Sequence, residues 1–101
     1  MLDRNRVELS GTLVELPVLR HSPAGVPIQA CVISHQSQQH ENGATRRVVA
    51  EVEAMAIGEI GIKLGRIGIG KLVRVSGFIV SANQKQARRL VLHIDEFELL
   101  N

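Results

Sequence analysis

Seven residues, Gly65 to Lys71 (GRIGIGK), carry the spacing with which a glycine-rich loop cradles the phosphates of a nucleotide. The next position of that pattern needs a Ser or Thr hydroxyl for magnesium, and Leu72 stands there. A phosphate loop also runs from a strand into a helix, whereas Lys71 opens a run of alternating valines. The segment therefore reads as an inter-strand connection. His21, His35, His40 and His93 show neither the i, i+4 pairing of a helical zinc site nor an HExxH or CxxC context. His21 and His40 fall in expected loops, and His93 is expected at a surface or an interface. Cys31 is the lone cysteine, so it has no internal disulfide partner, and between Ala30 and Val32 it should behave as a small hydrophobe. The serines lie outside any GxSxG elbow. Glu51 and Glu53 share one strand face, where one carboxylate can raise the pKa of the other, although acidic pairs are ordinary on a solvated sheet. Asp95, Glu96 and Glu98 read as edge-strand charges that discourage aggregation. No enzyme, cofactor or metal is expected.

The remaining chemistry is cationic. Arg20 beside His21, the pair Arg46 and Arg47, and the group Lys85, Arg88 and Arg89 form three basic clusters. Nine of the twelve Lys/Arg residues are Arg, the better donor to phosphate oxygens. A net charge of +2 permits a nucleic-acid partner without demanding one.

What positions those cations follows from length and periodicity. A chain of 101 residues allows one domain, 1–101, in which roughly 65% of the unfolded surface is buried. No run approaches the eighteen apolar residues of a membrane span, and MLDRNRVELS has no apolar core of a secretory signal, so a cytoplasmic protein is expected. Twelve valines and nine isoleucines favour strands. Residues 6–16 alternate as a first strand, with Gly11 as a bend. RHSPAGVP, 20–27, is a turn cluster, and 28–37 is a second strand, apolar on both faces as at a partner-covered sheet. A polar loop is expected over 38–45, with Asn42-Gly43 as its turn. The third strand, 46–56, places Val48, Ala50, Val52 and Ala54 inward and Arg47, Val49, Glu51 and Glu53 outward. The five glycines between 58 and 70 suit irregular structure or a short turn of helix. The fourth strand, 71–82, sets Val73, Val75, Gly77 and Ile79 inward, and NQKQARR, 83–89, links it to a fifth strand, 89–100.

Five strands, glycine kinks in the first and fourth, and a long link between the third and fourth make an all-β fold. The pattern is a five-stranded Greek-key barrel, the OB-fold. Oligonucleotides bind such barrels across the second and third strands, between the loops joining strands 1–2 and 4–5. All three basic clusters fall at those places. Base-stacking aromatics are scarce, since Phe78 and Phe97 are the whole aromatic set. Binding should lean on phosphate contacts and depend steeply on salt.

The strings RVELSGTL (6–13), SPAGVP (22–27), VRVSGFIV (73–80) and RLVLHIDEFEL (89–99), in this order, resemble the primosomal PriB family, relatives of bacterial single-stranded DNA-binding protein. The likeness covers about residues 4–100, and the end at Asn101 without an acidic tail sides with PriB rather than with that parent. It implies a homodimeric OB-fold that binds single-stranded DNA, joins and stimulates the PriA helicase at stalled forks, and helps recruit DnaT where that partner exists. It carries basic DNA-contacting positions onto Arg20, Arg46, Lys85 and Arg89, with Arg88 adjacent. Two stacking aromatics of the family stand here as Ala44 and Val49, and one basic position as Gln36. An adapter acting through protein contacts and an RNA-binding module are the alternatives.

Overall fold

Alternation of β-branched and polar residues builds five long strands in the computed structural model, which describes residues 3–101. Met1 and Leu2, at the head of the N-terminal stretch read above, lie outside the described residues. The elements are β1 (Val7–Glu15), β2 (Arg20–His21), β3 (Pro27–Glu41), β4 (Ala44–Ile57), α1 (Glu59–Gly65), β5 (Leu72–Ser81) and β6 (Leu90–Leu99). Hydrogen-bonded order runs β1-β5-β6-β4-β3-β2, and β1 also pairs with β3. That second pairing closes the expected five-stranded barrel, with β2 as a two-residue addition on β3.

Closure depends on β1 serving two neighbours. Val7 to Thr12 pair with β5, and Thr12 to Glu15 pair with β3, with a register shift between Leu13 and Glu15. A second irregularity falls between Ser76 and Gly77, where β5 crosses β6. A Cβ on Gly77 would collide with the carbonyl oxygen of His93, so the two backbones can meet there only without a side chain.

The expected loop over 38–45 is almost wholly strand. β3 and β4 pair from Ile28↔Ile57 to Glu41↔Ala44. Asn42 (φ 51°) and Gly43 (φ 77°) alone make the turn, both with the positive φ of a tight two-residue hairpin. Beyond Ser34 the two strands have no third neighbour among the described pairings, so the hairpin projects as a ribbon. Polar residues there end the apolar alternation without ending the backbone ladder.

Of the two expectations for the glycine segment, the helix is the one realised. α1 is seven residues long and has no side-chain cap, so its stability comes from packing. Leu64 is fully buried and closes one end of the barrel against Leu13, Cys31, Ile33, Ala54, Ala56 and the buried residues of β5 and β6. Phe97 packs against this core. Val48 and Ala50, expected inward, are half-buried because they lie near the ribbon, and Ile79 is exposed beyond the barrel's end.

Two further expectations change. β6 is hydrogen-bonded to β5 along its length, and its acidic residues face arginines rather than guarding an edge. Arg6 pairs with Asp95 and Glu96, and Arg74 pairs with Glu98. His93 is half-buried and stacks on Phe78, with ring centroids 5.4 Å apart. Among the described residues, no helix is long and apolar enough to cross a membrane.

Candidate nucleic-acid interface

Strand parity decides which cations share a surface. On β3 the even-numbered residues from Ile28 to Gln38 face outward, and across the register they meet the odd-numbered residues of β4. Arg20 pairs with Ile28 and so joins this outer face at one end. Arg47 pairs with Gln38 and joins it on the ribbon, where its Nη2 donates to Gln36 Oε1 at 3.4 Å. Ten residues separate Ile28 from Gln38, about 33 Å at the usual strand rise. Arg46 points to the reverse face, where its Nη1 donates to Glu41 Oε1 at 2.9 Å. The adjacent arginines of the sequence therefore cannot grip one stretch of one strand together.

The basic loop after β5 is held by its own polar residues. Asn83 Oδ1 accepts the backbone N–H groups of Lys85 (3.0 Å) and Gln86 (2.9 Å), the local turn that asparagine favours. Asn83 Nδ2 donates to Gln86 Oε1 at 2.7 Å, and Ser81 Oγ donates to the Ala87 carbonyl at 2.9 Å. These bonds leave the side chains of Lys85 and Arg88 exposed. Among the described residues, no carboxylate comes within ion-pair distance of Arg20, Arg47, Lys85 or Arg88.

Arg89 is different. Its Nε donates to Glu53 Oε2 at 2.9 Å and its Nη2 donates to Glu53 Oε1, a two-point pair between the loop and β4. The guanidinium holds the Glu53 carboxyl below its ordinary value. That reverses the expectation of mutual elevation by Glu51 and Glu53, because the nearest strong charge to Glu53 is positive. Glu53 and Arg89 stand on the rim of a cleft of about 340 Å³ between the loop and the sheet, lined by Ala30, Val32, Met55 and Val91. The apolar lining supplies flat contact where aromatic rings are missing. Its signal in the sequence was the second strand, apolar on both faces. The Glu53 partnership left no such signal, since it joins residues 36 positions apart.

Elsewhere the chemistry is structural. In the phosphate-loop-like segment the Gly70 N–H donates to the Leu13 carbonyl (2.8 Å) and the Leu13 N–H to the Lys71 carbonyl (3.0 Å), so this backbone is pledged to β1. The order is helix, turn, strand, the reverse of a phosphate loop. Cys31 is buried, and desolvation pushes its thiol up to about 11. Among the described residues, no three His, Cys, Asp or Glu side chains are grouped to hold a metal ion.

The model of a family described as "another single-strand binding protein family" matches residues 5–96. Replication restart protein PriB of Nitrosomonas europaea is 40% identical over 99 residues, which are 98% of this chain and 91% of that one. The PriB of Photorhabdus laumondii is 35% identical, over 96% of this chain and 94% of its own. The PriB structure from Ralstonia solanacearum superposes with a TM-score of 0.87 at 36% identity, covering 98% of this chain and all of that one. The single-stranded DNA-binding protein of Thermus aquaticus shares the fold, with a TM-score of 0.77 at 22% identity over 97% of this chain and half of that one. With a barrel of this topology and relatives of this likeness along nearly its whole length, the chain belongs to the PriB family of replication restart proteins, within the single-strand binding protein family.

Proposed function

We propose that this chain forms one domain over residues 1–101 and is a cytoplasmic, non-enzymatic accessory of the replication-restart primosome. It binds single-stranded DNA and, as a homodimer, stimulates the PriA helicase at stalled forks, with DnaT a further partner where one exists. The observation that carries this reading is the placement of exposed Lys85 and Arg88 beside an apolar cleft, on a face that also presents Arg20 and Arg47. Cations there track phosphates while the cleft takes the flat face of a base. Arg46 and Arg89 add to the track once released from Glu41 and Glu53. The test is fluorescence anisotropy of a labelled poly-dT oligonucleotide at low and physiological salt. Substituting Lys85, Arg88 and Arg89 with Ala should weaken binding and flatten the salt dependence by about 0.7 in log–log slope per lost contact. An isotherm unchanged by the triple substitution would sink the interface.

A second reading, a protein adapter with little use for DNA, draws on Glu51, Glu53 and the 60%-exposed Val49 in the middle of the same face. Helicase stimulation that survives the triple substitution would favour it. An RNA-binding role would show as preferential competition by a matched RNA oligonucleotide.

A further inference from the structure

We propose that Glu53 is a built-in competitor for the DNA backbone, holding the Arg89 guanidinium in the place of a phosphate until a strand displaces it. The inference rests on the DNA-binding reading above. The two-point geometry from Nε and Nη2 to the two carboxylate oxygens is the fork geometry with which arginine holds phosphate. Both partners are fixed from behind. Glu53 sits opposite Val32 in the β3–β4 ladder. Arg89 is anchored by its N–H to the Gln86 carbonyl at 3.1 Å and by its own carbonyl, which accepts the Ala82 N–H at 2.8 Å. Both line the cleft rim, and their side chains are 46% and 51% exposed, so an incoming phosphate can reach the guanidinium. At that exposure an ion pair is a weak one, which makes Glu53 a competitor rather than a lock. Lys85 and Arg88, in the same loop, have no such partner among the described residues. Two of the six candidate cations, Arg46 and Arg89, thus start neutralised, and of these only Arg89 shares the cleft. The effect is a site that holds DNA less tightly than its cation count implies and lets go of it readily.

The test compares the full chain with Glu53→Gln, Glu51→Gln, Arg89→Ala and the double variant Glu53→Gln/Arg89→Ala. Each is titrated with labelled poly-dT across a salt series, with far-UV circular dichroism to check the fold. Glu51 lies on the same face and removes the same charge without freeing an arginine. Glu53→Gln should bind roughly two- to fivefold more tightly, the range by which exposed pairs matter. Its log–log salt slope should steepen by about 0.7, one phosphate on a single strand. Glu51→Gln should leave the slope unchanged, and adding Arg89→Ala to Glu53→Gln should return it to that of the parent. A parent chain that binds, with Glu53→Gln no tighter and no steeper than Glu51→Gln, would overturn the competitor and leave the DNA-binding reading intact. Absence of binding by both parent and Glu53→Gln at low salt would overturn both.

Discussion

Arg6 and Asp95 meet in a two-point ion pair, with Nη1 2.6 Å from Oδ2 and Nη2 2.9 Å from Oδ1, across 89 positions of sequence. Asp95 falls at the irregularity of β6, between Ile94 opposite Gly77 and Glu96 opposite Ser76, and has no residue facing it in β5. The bulge releases its side chain toward the start of β1. The guanidinium holds the Asp95 carboxyl below its ordinary value, as Arg89 does for Glu53.

Both carboxylates bind a proton less tightly in the folded chain than in the unfolded one. Their stabilisation is therefore complete above the unfolded values, about 4, and is lost as pH falls through the lower folded values. Thermal melts from neutral pH down to about 3 should show Tm falling in that acid window. Asp95→Asn should flatten the fall, and added salt should shrink the difference because the pair is half-exposed. An acid limb identical in Asp95→Asn would mean that the pair contributes nothing.

Leu64 is the one fully buried side chain that α1 sends into the barrel, so its truncation leaves a hole that strands cannot close. Leu64→Ala should cost about 2–5 kcal/mol in urea unfolding. A loss under about 1 kcal/mol would show that α1 rests on the barrel without sealing it.

Arg46 and Arg47 are neighbours in sequence and opposites in space. Arg47→Ala should weaken poly-dT binding and reduce the salt slope by about 0.7, one lost phosphate contact. Arg46→Ala should change the slope little while Glu41 holds that side chain on the reverse face. Equal losses from the two substitutions would mean that the strand wraps around the ribbon.

Much of this was legible in the residues because burial writes itself into alternation. Val73, Val75, Leu92 and Ile94 were expected inward and are buried. Asn42-Gly43 marked the hairpin turn to the residue. The ends of β3 and β4 were not legible, since Gln36 to His40 bury nothing and hydrogen bonding alone sustains them. α1 was ambiguous because glycine-rich turns have low intrinsic helicity, and its packing against β3 and β4 is a tertiary matter. In the candidate interface the basic clusters could be read directly, but their counter-charges could not. Glu53 meets Arg89, and Asp95 meets Arg6, through strand register and a bulge, neither of which a single sequence displays. The reverse orientation of Arg46 was within reach of the period-2 rule that placed Arg47 outward.

The double duty of β1 also orders events in time. Its partners in β5 lie some sixty to seventy residues downstream, whereas β3 and β4 are neighbours joined by two residues. On a ribosome, the ribbon can zip as soon as Ile57 has emerged, while the first strand waits unpaired on one side until Gly77 is made. Completion of the barrel is thus a late step of high contact order, and this small protein should fold more slowly than its length alone implies.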